Sequence, residues 1–205
     1  MLKDLTVTEF LEHTASAEPL PGGGCTAALS AALAASLTEM VANLTIGRKK
    51  FQAVEDEMKK IAKTAADLRK KLQNDIDNDA QAYREVLAAF KLPKTTDGEK
   101  KQRSSAIQQA FKTAATVPLG VARDALTIMD LASRAIAQGN QNAVSDGAVG
   151  VLASRTAALA ALYNVKINLS AIRDPGFVEE LTRESENLKS QVIKKEKDIL
   201  AHINI

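Results

Sequence analysis

The residues best suited to chemistry sit in one acidic turn, Asp75-Ile76-Asp77-Asn78-Asp79, inside a long helical pattern rather than at a helix N-terminus, where the macrodipole favours carboxylates. With Ile76 as the centre of the apolar face and about 100° per residue, Ala80, Tyr83, Leu87 and Phe90 fall within about 40° of it. On the same wheel Asp79 falls at about −60°, Asp77 at about +100° and Asp75 at about −100°. Asp79 is therefore expected to be partly buried and Asp77 to lie at the margin. Burial raises a carboxylate's pKa and a nearby cation lowers it, so a group held between the two can serve as a general acid or base. The plainer alternative is a solvated acidic turn paired with Lys70, Lys71 or Arg84, which suits Asp75 better than Asp79.

Pro21-Gly22-Gly23-Gly24 precedes a second pattern that begins at Cys25. Residues without a Cβ let the backbone turn sharply and aim consecutive N–H groups outward, and a helix N-terminus behind them adds roughly half a positive charge. An anion or a ligand carbonyl would be received there; the same glycines also serve as a connector that lets two helices pack closely. No Gly-Lys-Ser/Thr follows, which excludes a P-loop. Three polar groups remain. Gly47-Arg48-Lys49-Lys50 is a basic cluster that Lys94 can join, or a solvated surface. Gly139-Asn140-Gln141-Asn142 with Ser145-Asp146 reads as ligand contacts or as caps and turn chemistry. Asn164 and Asn168 stand four apart, on one face if the helix persists, and asparagine is a poor interior helix former unless it bonds something.

The elements that position these residues are helices. Apolar residues recur at three and four between widely spaced glycines and prolines, and nothing alternates with period two. About seven helices are expected. Thr6 or Thr8 caps a short first one through Phe10 and Leu11. An alanine-rich helix follows the glycines. A strut of more than ten turns runs from about Val54 to Phe90. Pro93 ends it, and Thr96 or Asp97 caps a helix through Ile107 and Phe111. Pro118 is expected to begin a separate helix toward Gly139. A small-residue helix covers about Asn142 to Asn164, and Asp174-Pro175 opens a last, charged one. The fold class is all-α, a helical bundle with one long central helix, and residues 1–205 are expected to form one domain burying roughly 70% of the unfolded chain's surface.

Composition narrows the function. The 27 Lys and Arg against 25 Asp and Glu leave a net charge of +2, too little for a polyanion-binding face, and aromatics at 3% provide no base-stacking platform, so nucleic acid is not an expected partner. One cysteine, Cys25, and two histidines, His13 and His202, make no metal-ligand cluster, and no metal is expected. The stretch from Cys25 to Ile46 carries Ser30, Ser36, Thr38, Glu39 and Asn43 and reads as a buried helix rather than a membrane span. The start Met1-Leu2-Lys3-Asp4 lacks the pattern of a signal peptide, so the expected location is the cytoplasm.

Taken in order, Pro-Gly-Gly-Gly before an alanine-rich helix, Thr45-Ile46-Gly47-Arg48-Lys49-Lys50-Phe51, Asp77-x-Asp79-Ala80, Leu92-Pro93-Lys94, Val117-Pro118-Leu119, Gly139-Asn140 with Ser145-Asp146, and Asn164-x-x-x-Asn168 resemble the cyclodeaminase/cyclohydrolase family over about Leu5 to Leu200. That family comprises formiminotetrahydrofolate cyclodeaminases and stand-alone methenyltetrahydrofolate cyclohydrolases. Asn43 to Phe51 and Leu92 to Lys101 look most similar to the latter. The resemblance implies an all-α homodimer that binds a tetrahydrofolate one-carbon derivative near the dimer interface, with no metal or redox cofactor beyond the folate substrate. It points first to Asp77 as the acid/base aspartate, with Asp79 beside it, whereas the helical wheel favours Asp79 as the more buried. The glycine N–H groups of Gly22, Gly23 and Gly24 and Asn140 are then expected at the pterin or its carbonyl. Asp146, Asn164 and Asn168 are expected at pterin edges, and Arg48, Lys49 and Lys94 at the glutamate tail. A cyclodeaminase is the first rival reading, made less attractive by the lack of a fused formiminotransferase domain; a non-catalytic helical scaffold is the second.

Overall fold

The structure is a computed structural model and describes residues 1–203. Its helices are α1 (Val7–Ala15), α2 (Gly23–Asn43), α3 (Glu55–Phe90), α4 (Asp97–Gln138), α5 (Val144–Leu169) and α6 (Pro175–Leu200), joined by short turns, and no strand occurs among the described residues. The starts follow local chemistry. Thr6 accepts from the Glu9 N–H while Glu9 reaches back to the Thr6 N–H, and Thr96 and Glu99 repeat this capping box at α4. Asp174 caps α6, with Pro175 in its first turn.

The expected all-α class holds, with six α-helices among the described residues where about seven are expected. The helix expected to begin at Pro118 is the second half of α4, which runs through the proline unbroken. A proline has no N–H to give the carbonyl four residues earlier, here that of Ala114. Asn168 on α5 supplies the missing donor, its Nδ2 lying 2.9 Å from the Ala114 oxygen.

At the centre α2 and α5 run antiparallel and close together. Gly23 lies beside Asn164, Gly150 against Leu37 and the Ala34 carbonyl, and Gly147 against Ile136 and Val41, with alanines such as Ala28, Ala31, Ala35, Ala157, Ala158 and Ala161 fully buried. Both stretches are long and apolar enough to cross a membrane by length and composition, but each buries one side in this packing. The strut α3 lies antiparallel to α2, with Arg69 on Glu39, and antiparallel to α4, with Glu57 on Arg134. The last helix, α6, is bound to α4 by Arg123–Glu184 and Lys195–Asp130 and to α5 by Arg155–Glu196.

One face of α3 differs from expectation. Ile76 and Ala80 are buried as the wheel requires, but Tyr83, Leu87 and Phe90 are 38%, 40% and 47% exposed, and Ala82, Val86 and Ala89 are buried against Ala110 and Ala114 of α4 instead. The reason is where α2 begins: Gly24 stands opposite Asp79, so beyond that level α3 has α4 but not α2 to pack on. Asp75 lies on this α4 side. It pairs with Lys71, one of its expected partners, at 3.0 Å and accepts from Asn78, but it is buried rather than solvated, and Lys71 continues to Asp124.

Candidate active site

Helix α2 opens without a side-chain cap of its own: Gly22 is its N-cap, in extended backbone, and offers no side chain to the first N–H groups. Asp79, reaching up from α3, approaches this turn so closely that a Cβ on Gly24 would overlap its carboxylate. The carboxylate accepts a hydrogen bond from the Cys25 thiol, Sγ to Oδ2 3.2 Å. Burial pushes the Asp79 pKa up, while the Cys25 thiol and backbone N–H, which favour the charged form, oppose that rise. The Cys25 thiol is fully buried and pushed up to about 12, first by desolvation and then by the adjacent carboxylate, so it stays protonated and acts as donor.

Asn164 completes the group from α5. Its amide lies against Gly23, its Nδ2 donates to the Ala160 carbonyl at 2.9 Å, and no donor reaches its Oδ1 among the described residues. Asn168, one turn on, spends its Nδ2 on the Ala114 and Asn164 carbonyls. Gly22, Gly23, Gly24, Asp79 and Asn164 thus come together, and Cys25, which the sequence alone placed only at the start of a helical pattern and outside any metal cluster, joins them. Its position directly after the glycines, on the helix facing the acidic turn, was the available signal.

Asp77 goes elsewhere. It points about 160° away from Asp79 around α3, as the 100° spacing requires. Its Oδ1 accepts the Leu2 N–H at 2.7 Å, fastening the N-terminal turn Leu2–Asp4 to the strut, and its Oδ2 is buried without a hydrogen-bond partner. The aspartate to which the resemblance pointed first therefore does not meet the glycine turn in this chain.

Asn140, Asp146, Arg48 and Lys49 gather at the other end of α2, about 30 Å away at 1.5 Å per residue. Asn140 is buried and consumed locally: its N–H donates to the Thr45 hydroxyl at 2.9 Å, its side chain donates to the Leu44 carbonyl and accepts from the Asn142 N–H. This is the capping alternative. Asp146 is half-buried in the first turn of α5. Arg48 and Lys49 are exposed just after Gly47, whose φ of 76° is in the left-handed region. Lys94 does not join them, because it follows α3 whereas they precede it, and that helix is about 54 Å long.

The outer side of the glycine turn is open, since Gly23 and Thr26 are exposed. Along the same helices runs an apolar face: Leu33, Met40 and Leu44 share one side of α2, and Val149, Leu152, Tyr163 and Ile167 share one side of α5, with exposures from 37% to 75%. A separate cleft of about 670 Å³ between the C-terminal ends of α4 and α6 contains none of these residues, and its Lys194 and Lys195 are paired with Asp198 and Asp130. Among the described residues no group of three His, Cys, Asp or Glu side chains is placed to hold a metal ion.

The described residues define an all-helical bundle with a half-buried carboxylate under a glycine-rich helix start. The chain belongs to the formiminotransferase-cyclodeaminase family, which it matches over residues 6–187. It is 41% identical over 186 residues to a methenyltetrahydrofolate cyclohydrolase of Methylorubrum extorquens, covering 91% of this chain and 89% of that protein. It is 32% identical to the formimidoyltransferase-cyclodeaminase of Rattus norvegicus, covering 87% of this chain but only 33% of that longer enzyme. Its fold matches the crystal structure of formiminotetrahydrofolate cyclodeaminase from Thermotoga maritima with a TM-score of 0.87 at 29% identity, over 97% of this chain and 96% of that one.

Proposed function

We propose that this protein is a methenyltetrahydrofolate cyclohydrolase, adding water to 5,10-methenyltetrahydrofolate to give 10-formyltetrahydrofolate, with Asp79 as the acid/base group. The observation that carries the reading is the Asp79 carboxylate itself, half-buried against the glycine turn and beside the Cys25 thiol, with its pKa raised by desolvation. In the substrate one carbon bridges N5 and N10 as a delocalised cation, which a carboxylate attracts in a site of low dielectric. A water adds to that carbon and gives a proton to Asp79. The carbon–N5 bond of the tetrahedral adduct then breaks, Asp79 returns the proton to N5, and the adduct's hydroxyl proton leaves to solvent as the formyl group forms on N10. Acid/base help of this kind contributes about 10²–10⁴-fold. The N–H groups of Gly23 and Gly24 receive the pterin carbonyl, and Asn164 Oδ1 accepts from a pterin N–H. No cofactor beyond the folate is required.

The proposal includes a homodimer closed over the apolar face of α2 and α5. A two-fold axis perpendicular to α2 there would set the glycine turn of one chain beside the Arg48–Lys49 end of its partner, joining the two groups that stand about 30 Å apart in one chain. Those cations then hold the carboxylates of the glutamate tail, with Lys94 beyond Asp79 as a further contact. The cytoplasm is the compartment such an enzyme would occupy.

A formiminotetrahydrofolate cyclodeaminase is the second reading, favoured by the Thermotoga maritima likeness. It passes through a related tetrahedral carbon, with N10 attacking a formimino group and ammonia leaving. Incubating the protein with each compound and following the methenyl absorbance tests both: the band falls with hydrolysis and rises with ammonia loss. Hydrolysis supports the first reading, ammonia loss the second, and no change with either compound removes both.

A further inference from the structure

We infer that Cys25 is a positioning residue for Asp79: its thiol holds the carboxylate at the glycine turn and sets the strength of the hydrogen bond that the carboxylate receives there. The inference rests on the acid/base reading of Asp79. Three observations carry it. The Sγ–Oδ2 distance is 3.2 Å, within contact for a sulfur donor, and the thiol is fully buried, so no water competes for it. Gly24, with no Cβ, lets the carboxylate lie against the backbone beside that thiol. Asn164, the polar side chain nearest the turn from α5, directs its Nδ2 to Ala160 and so leaves Cys25 as the side-chain donor to Asp79.

A thiol is a weak donor, and a weak donor is what a proton-exchanging carboxylate needs. Burial alone favours the neutral acid, whereas a strong donor would trap the anion and make it a poor base. The charged and titratable surroundings are few. From α2, Asp79 faces Cys25. On its own helix, Asp75 stands one turn earlier, engaged with Lys71 and Asn78, and Tyr83 one turn later; Lys71 leads on to Asp124 of α4. The shift on Asp79 has burial and Cys25 as its causes, with no charged neighbour among them.

Two substitutions move the donor in opposite directions. Cys25→Ser offers a stronger hydroxyl donor and should lower the Asp79 midpoint; Cys25→Ala offers none and should raise it. The readout is the carboxyl carbon-13 titration of aspartate-labelled protein, with the Asp79 resonance identified by its loss in Asp79→Asn. The acidic limb of kcat for methenyltetrahydrofolate hydrolysis should follow in the same directions, with KM changed by less than about twofold. Should Cys25→Ala lose its helical circular dichroism, Cys25→Ser, which keeps the volume, carries the test. A midpoint that stays put in the folded variants, or moves the same way in both, overturns the role of Cys25. If the wild-type protein turns over no folate, or Asp79→Asn leaves kcat unchanged, the catalytic reading fails instead, and the titration still decides the hydrogen bond.

Discussion

The Asp79 carboxylate occupies the space that a side chain on Gly24 would need, so the first turn of α2 and the acidic turn of α3 exclude each other by anything larger than hydrogen. Gly24→Ala should therefore push Asp79 off the turn and break its contact with Cys25. Alanine is a better helix former than glycine, so α2 itself gains, but overpacking costs about 1–3 kcal/mol. The expected result is a protein with wild-type helical circular dichroism and hydrolytic kcat down by about the 10²–10⁴-fold ascribed to acid/base help. A folded Gly24→Ala protein with full turnover would show that Asp79 has no need of this place.

The two aspartates of the turn separate cleanly. Asp79→Asn should lower kcat by about 10²–10⁴-fold and leave much of the folate affinity. Asp77→Asn keeps an oxygen for the Leu2 N–H and should change kcat by less than about threefold, its effect confined to a small fall in Tm. Measuring both rates under one set of conditions checks the assignment; loss of turnover in Asp77→Asn alone would return the role to the residue first suggested by resemblance.

Much of this was legible in the sequence because helices announce themselves locally. The capping boxes Thr6-x-x-Glu9 and Thr96-x-x-Glu99, the stop at Pro93 and the start at Asp174-Pro175 depend on residues within one turn of each other. The 100° rule put Asp79 about 60° from the centre of the apolar face and so partly buried, and it is half-buried. What was not legible depends on distant partners. Pro118 reads as a break unless Asn168, fifty residues later, is known to serve the Ala114 carbonyl. Tyr83, Leu87 and Phe90 read as core unless one knows that α2 starts only at the level of Asp79. Asn140 reads equally as ligand contact or cap until Thr45 is brought beside it.

The Pro118–Asn168 relation makes a quantitative prediction. Asn168→Leu removes the donor and leaves the carbonyl of buried Ala114 without a partner, a loss of about 1–3 kcal/mol. In a Pro118→Ala background residue 118 has its own N–H for that carbonyl, and Asn168→Leu should then cost less by about 1 kcal/mol or more. A double-mutant cycle from urea unfolding measures the difference. Equal costs in both backgrounds would mean that the amide is not what carries α4 through its proline.

The last prediction concerns the proposed pairing of chains. Leu33→Asp with Met40→Asp puts charge in the middle of the exposed side of α2. It should convert a dimer to a monomer in sedimentation while sparing the helical core, since neither side chain is buried, and turnover should fall with the dimer. A mixing experiment then asks which chain provides the cations. Asp79→Asn chains lack the acid/base group, and Lys49→Ala chains are expected to have a raised KM for polyglutamylated substrate. In a mixed dimer, one site joins the intact Asp79 of the second chain to the intact Lys49 of the first. Co-refolded mixtures should therefore contain a low-KM fraction that neither parent shows. If the kinetics instead equal the sum of the two parents, each site is built from one chain, and Arg48 and Lys49 have no part in the partner's chemistry.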